Sequence, residues 1–224
     1  MQPNDYRPTD LDDIIGVPTD KIASMVDGKD TPNMLFYGPP GTGKTTTARA
    51  VCRELNGSTD ELWEINASDD RGIDMIRDKI NRVARLDVGT QVSLSMSIPV
   101  VLLDEADSMT GDAYQALRSP MEDTAAVFIL TANDRTPIHS AIESRCGIVL
   151  EFRLTTSDIH DRLTAICDES DIDVSDDRLI DMAKEANGDM RRALSDLQQH
   201  VNFRSPTTDA ASRLRETLQA EGKQ

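Results

Sequence analysis

Apolar positions along this 224-residue chain fall into two regimes. Up to about residue 152, short continuous apolar runs alternate with stretches of helical spacing. Beyond Arg153, only helical spacing is left. The runs at 33–37, 61–66, 99–103, 127–131 and 147–152 predict strands. The run at 99–103 is rich in valine and leucine without alternation, as in a strand buried on both faces. Between these runs, 19–26, 45–55 and 112–121 predict helices, with Pro120 expected to disturb the end of the third. Ile73, Ile76, Ile80 and Val83 recur at helical spacing and predict another helix there. Strands alternating with helices imply an α/β fold with a doubly wound, mainly parallel sheet.

In the second regime, helices are predicted at 157–168, 176–186 and 189–201. Thr156–Ser157, Ser175–Asp176 and Gly188 offer caps or stops for them. The expected organisation is an α/β domain over 1–153, a small all-helical domain over 154–203, and a short tail over 204–224.

Composition narrows the function classes. At 38% hydrophobic and 29% charged residues, the chain is globular rather than disordered. Its longest apolar runs are too short to cross a bilayer, and MQPNDYRP has no apolar leader, so a cytoplasmic protein without a membrane partner is expected. Cys52, Cys146 and Cys167 lack CxxC spacing, and His139, His160 and His200 are equally scattered. No zinc site is read from them. Forty acids against twenty-four bases give a net charge of −16, with aspartate favoured over glutamate and arginine over lysine. That bias resembles proteins of salt-loving archaea; a dedicated basic partner is the other reading. Neither supports non-specific nucleic-acid binding through net charge.

Chemistry enters at residues 38–45. Gly38-Pro39-Pro40-Gly41-Thr42-Gly43-Lys44-Thr45, with Thr46 following, matches GxxxxGK[ST] between a strand and a helix. Glycines let successive backbone N–H groups face phosphates, and the helix N-terminus adds its dipole. Lys44 is expected to reach the β- and γ-phosphates of ATP, and Thr45 to hold Mg2+. Further on, VVLLDEAD (100–107) sets Asp104 at the end of a buried strand, where it can order the magnesium shell. Glu105 follows, placed to orient or deprotonate the attacking water.

Three weaker signals follow. Asn133 ends the next buried strand and faces the γ-phosphate on one reading, or is a turn residue on the other. Arg145, in Ser144-Arg145-Cys146, is an arginine finger or a salt-bridge partner. Arg191, in Gly188-Asp189-Met190-Arg191-Arg192, folds onto nucleotide or opens a solvated helix.

The order of these five motifs resembles that of AAA+ ATPases: Walker A, Walker B, sensor 1, arginine finger, and sensor 2 in a helical lid. Segments 6–16 (YRPTDLDDIIG), 64–74 (EINASDDRGID), 102–118 (LLDEADSMTGDAYQALR), 143–146 (ESRC) and 188–194 (GDMRRAL) are similar to the archaeal clamp-loader small subunit, replication factor C. The resemblance spans about residues 6–201. It implies a P-loop AAA+ domain with a helical lid, in a ring-shaped ATPase that uses ATP and Mg2+ to place a sliding clamp on primer–template DNA. Its partners would be a clamp-loader large subunit, other small subunits in a hetero- or homo-oligomer, the clamp and the DNA.

The resemblance assigns Tyr6, Arg7, Ile14 and Ile15 to the adenine region, Asn133 to sensor 1 and Arg191 to sensor 2. It sends Arg145 to the ATP of a neighbouring subunit and sets Arg71 and Arg77 against DNA. The helix carrying those two also holds Asp70, Asp74, Asp78 and Asp87, so an exposed salt-bridged helix stays open as its reading. Val17 and the Ser119-Pro120 pair depart from the family pattern. Family members continue into a helical collar that joins five subunits, and residues 204–224 are too few to supply one. An ATP-binding regulator of the loader and another AAA+ motor, such as a branch-migration helicase, are the alternatives.

Overall fold

The computed structural model describes residues 6–26, 30–68 and 97–204. The helix expected from Ile73, with Arg71 and Arg77, lies outside them. The described residues form two compact units, 7–154 on the one hand and Tyr6 with 155–204 on the other.

The first unit is built on five parallel strands: β1 Met34–Tyr37, β2 Leu62–Asn66, β3 Val100–Asp104, β4 Val127–Ala132 and β5 Ile148–Glu151. Their order across the sheet is β2-β3-β4-β1-β5. Among the described residues four α-helices connect or flank them, α1 Thr19–Ala23, α2 Lys44–Asn56, α3 Gly111–Asp123 and α4 Ser140–Glu143, with 3-10 turns at Leu11–Asp13 and Ala106–Ser108. The elements expected within the described residues of this unit are present, within three residues at each end.

Strand period explains the two cores. Alternate side chains point to opposite faces, and helices cover both. Leu35, Val101, Leu103, Phe128 and Leu130 meet Ala113, Tyr114, Leu117 and Met121 of α3 on one face. Met34, Phe36, Val100, Leu102 and Ile129 meet Ala48, Val51 and Cys52 of α2 on the other. Burying a side chain of this size contributes about 1.5–3 kcal/mol. No residue of β4 is exposed.

Pro120 does not end α3, as the sequence suggested; the helix runs on to Asp123. A proline removes one N–H, yet the last turn has other supports. Met121 is buried, its carbonyl accepts from Asn33 Nδ2 at 3.2 Å, and Thr124 Oγ1 donates to the Pro120 carbonyl at 2.8 Å. Tertiary packing overrides the local breaker.

The second unit contains α5 Thr156–Glu169, α6 Asp176–Ala186 and α7 Met190–Arg204. A capping box between Thr155 and Asp158 starts α5, one residue earlier than read from sequence. Asn187 at φ 48° stops α6, tolerating the left-handed conformation better than most residues. Ile159, Leu163, Ile166, Leu179, Met182, Ala183, Ala193 and Leu197 are among its buried residues. Tyr6 groups here rather than with the sheet: its carbonyl accepts from Arg162 at 3.4 Å, and its hydroxyl accepts from Ser170 Oγ at 3.1 Å.

His160 of α5 lies 2.7 Å from Asp176 of α6 and 3.4 Å from Asp161. The hydrogen bond to Asp176 raises the imidazole pKa above its ordinary 6.5. A raised folded-state pKa stabilises fully below the unfolded value and is lost as pH rises through the folded one. The thermal stability of this unit is therefore expected to fall on going from below pH 6.5 to above the raised pKa. Asp176→Asn should remove most of that dependence and return the His160 titration, followed by NMR, toward its ordinary value.

Candidate active site

Ligands of open parallel sheets sit beyond the carboxyl ends of the strands. Here those ends carry buried and multiply hydrogen-bonded polar residues. After β1 the backbone turns through Gly38 (φ 141°), Gly41 (φ 75°) and Gly43 (φ 97°) and enters α2. Gly38 is held on both sides: its N–H donates to Ala132 O of β4 at 3.1 Å, and a Cβ there would lie 2.2 Å from Phe152 O. Thr42, buried, ties the loop with a 2.9 Å bond to Pro39 O. Pro39 and Pro40 are exposed at the loop crest, and Thr46 is half-buried in the first turn of α2.

Lys44 is buried at the first position of α2. Its Nζ donates to Gly38 O at 2.7 Å, Pro39 O at 2.8 Å and Asn133 Oδ1 at 3.3 Å. A buried ammonium needs such acceptors. Thr45 faces across to β3, its Oγ1 lying 3.1 and 3.2 Å from the two Asp104 carboxylate oxygens. A hydroxyl and a carboxylate side by side at a P-loop are hard oxygen donors of the kind that suit Mg2+, so these residues fit that ion.

Asp104 also accepts from Thr131 Oγ1 of β4. Glu105 follows in the left-handed region at φ 57°, and its N–H donates to Thr131 Oγ1 at 3.2 Å. This conformation is unfavourable for a residue with a side chain, and the turn beyond it is tightly held. Ala106 and Met109 are buried, and Tyr114 of α3 donates its hydroxyl to Ala106 O at 2.6 Å. Burial pushes the Tyr114 phenol up to about 12, so it stays a donor. Asp107 Oδ2 then accepts the backbone N–H of Asn133 at 3.0 Å and of Asp134 at 3.2 Å. Asn133 is thereby positioned through its backbone, with an exposed side chain directed to Lys44.

The structure thus brings together Lys44, Thr45, Asp104, Glu105 and Asn133. Sequence reasoning missed Thr131 and Asp107. The first is the last residue of the predicted strand 127–131 and the second the last of VVLLDEAD, and neither stood out because their partners lie 26 or 27 positions away.

Arg145 follows α4. Its guanidinium pairs with Glu122 at 2.6 Å and donates to Ala141 O, while its carbonyl accepts from Asn33 Nδ2 at 3.3 Å. The same Asn33 side chain bonds Met121 O at 3.2 Å and accepts from Phe128 N at 2.9 Å. One amide therefore fixes the backbone of the Ser-Arg-Cys segment to α3 and β4. Beside it, burial pushes the Cys146 thiol up to about 12, so this cysteine is no nucleophile near neutral pH.

Of the other expected site residues, Ile14 is buried against the α2 face, Ile15 is half-buried and Arg7 is exposed. Arg191 is exposed in the helical unit, where its N–H donates to Asp189 Oδ1 at 2.9 Å. Among the described residues there is no cluster of His, Cys, Asp and Glu of the size that binds metal by itself. No described helix is long and apolar enough to cross a membrane.

Residues 34–154 match the family model described as ATPase family associated with various cellular activities (AAA). The resemblance to replication factor C is borne out. The chain is 39% identical over 211 residues to the replication factor C small subunit of Staphylothermus marinus, covering 92% of this chain and 63% of that protein. It is 40% identical over 199 residues to the one of Haloarcula marismortui, covering 86% and 60%. The chain spans less than two thirds of the length of these relatives. Among solved structures it is similar to the Thermotoga maritima RuvB Holliday junction branch migration motor, with TM-score 0.64, 20% identity, and coverage of 85% of this chain and 63% of that one. At that identity the likeness is one of fold, and it agrees with the parallel sheet followed by helices.

Proposed function

The chain belongs to the AAA family of ATPases, and on that basis we propose that it binds ATP with magnesium, hydrolyses it, and serves as a small subunit of a clamp loader acting on primer–template DNA. The reading is carried by one observation: Lys44, Thr45, Asp104, Glu105 and Asn133 converge at the carboxyl ends of β1, β3 and β4. The clamp-loader part rests on the similarity to replication factor C small subunits.

In this reading the loop of residues 38–46 cradles the phosphates, its N–H donors coming from the non-proline positions, and Lys44 reaches the terminal ones. Thr45 and Asp104 would hold the metal, which when bound neutralises charge on the β- and γ-phosphates. Glu105 orients or deprotonates the attacking water, and Asn133 faces the γ-phosphate. Tyr6, Arg7, Ile14 and Ile15 serve the adenine, Arg191 senses the phosphates, and Arg71 and Arg77 meet DNA. Arg145 acts on the ATP of a neighbouring copy. Its present partner, Glu122, is a half-exposed carboxylate, and a pair of this kind contributes only about 0–1 kcal/mol, so its release costs little. The acidic surface suits work at high salt.

ATP turnover at high salt is expected to rise when large subunit, clamp and primed DNA are added. No response to clamp or DNA would overturn the clamp-loader assignment. Arg145→Ala is expected to lower turnover of the assembly by roughly 10³-fold while sparing ATP binding. An equal loss in an isolated subunit would refute a role on the neighbour's ATP.

A further inference from the structure

We propose that Thr131 is a positioning residue that sets the direction of the Asp104 carboxylate and the backbone of Glu105, and so couples the magnesium ligand to the catalytic base. The proposal rests on the ATPase reading above for its kinetic consequence. Its geometry stands independently.

Thr131 is 1% exposed, one residue before the end of β4. Leu103 of β3 pairs with Leu130 of β4, which brings Thr131 abreast of Asp104. A hydroxyl has one proton to give and lone pairs to receive. Thr131 gives its proton to Asp104 Oδ1 and receives the Glu105 N–H at 3.2 Å. Both bonds go to consecutive residues at the neighbouring strand's end, which are half-buried, from a side chain that is itself buried.

Two consequences follow. Asp104 Oδ1 also faces Thr45 Oγ1 at 3.1 Å, so a continuous chain runs Thr45–Asp104–Thr131–Glu105 from the P-loop to the proposed base. Asp104 cannot rotate its carboxylate without breaking the Thr131 bond. Glu105, in the left-handed region at φ 57°, would relax toward an ordinary conformation if its N–H lost the acceptor that helps to hold it. Bonds of this kind, between a loaded group and its support, are how sites hold reacting groups within a fraction of an ångström.

Packing alone also accounts for a buried threonine, and two variants separate the cases. Thr131→Val keeps the β-branched shape and deletes the hydroxyl, whereas Thr131→Ser keeps the hydroxyl and deletes the methyl. In Thr131→Val the Glu105 amide is expected to exchange with solvent about 10-fold faster or more, read residue by residue. The gain in ATP affinity on replacing EDTA by Mg2+ should shrink by about 10-fold, the effect typical of losing a metal's outer support. Affinity in EDTA should stay within about 2-fold. Turnover should fall about 10²-fold at unchanged KM, the pattern of an interaction used mainly in the transition state. Thr131→Ser should stay near wild type in all four.

An unchanged Glu105 amide and unchanged magnesium gain in Thr131→Val would overturn the proposal. So would a Ser variant as impaired as the Val variant, since that is what packing predicts. If the wild-type chain binds MgATP but never turns it over, even with its partners, the ATPase reading fails. The exchange and affinity measurements still decide the role of Thr131.

Discussion

Replacing Glu105 by glutamine is expected to leave ATP binding within about 2-fold of wild type and to cut turnover by roughly 10²–10⁴-fold, the range for a general base. Glutamine preserves size and polarity but cannot accept a proton from water. The site offers no evident substitute: Asp104 is committed to Thr45 and Thr131, and Asp107 to the backbone of Asn133 and Asp134. Stability should hardly change, because glutamine meets the same backbone requirement at φ 57°. Glu105→Gly should be inactive as well, yet more stable. A residue with a side chain in this region carries about 1–2 kcal/mol of strain that glycine escapes. A stability gain with a loss of rate would identify Glu105 as a place where conformational cost is retained for function. Single-turnover hydrolysis beside equilibrium nucleotide binding is the measurement; a Gln variant that turns over at the wild-type rate would remove Glu105 from the role of base.

Gly38→Ala is expected to have the other large effect, this time on binding and stability together. A Cβ at Gly38 would lie 2.2 Å from the Phe152 carbonyl oxygen, with φ at 141°. Phe152 cannot retreat, because its own N–H donates to Tyr37 O at 2.7 Å and its ring is buried against Phe36 at 5.1 Å. The P-loop backbone must move instead, and with it the Gly38 carbonyl that accepts from Lys44. A destabilisation of about 2–4 kcal/mol is expected, in the class of backbone strain. That corresponds to a fall in Tm of roughly 5–15 °C for a chain of this size. Nucleotide binding should be lost at micromolar ATP. Gly43→Ala is the control: it shares a positive φ of 97°, but a Cβ there meets nothing within 4 Å, so only conformational strain of about 1 kcal/mol applies. Equal effects of the two substitutions would show that the approach of Phe152 is unimportant.

Much of the fold was legible because its signals are local. Buried strands are marked by runs such as Val100–Leu103 with no polar interruption, and α2 by a glycine loop before a helical stretch. The α6 helix was read to the residue from the Ser175–Asp176 start and the Gly188 stop; Ser175 stands at the N-cap without a side-chain cap bond, and Asn187, just before Gly188, takes the left-handed C-cap. Pro120 misled for the same reason. Its local preference is real, but the bonds from Asn33 and Thr124 that carry α3 past it come from other elements.

The site divides along the same line. Lys44, Thr45, Asp104 and Glu105 could be named from sequence because each stands at the end of a strand or the start of a helix that the pattern predicts. Thr131, Asp107 and Asn33 could not. Their importance is a matter of what lies across the sheet, 26 or 27 positions away for the first two and up to 112 for the third.

By itself, then, the sequence determined which segments become strands and helices, which residues are candidates for phosphate chemistry, and to which family the order of motifs belongs. Those follow from backbone preference, hydrophobic period and short motifs, all of which act within a few residues. Only the tertiary structure decided that β1 lies between β4 and β5, so that the glycine loop after β1 and Asn133 after β4 come side by side. It alone decided that Glu105 is held left-handed and that its support is a threonine on the next strand. Strand order and cross-strand hydrogen bonds depend on which surfaces bury one another, and that choice is made by the whole core at once.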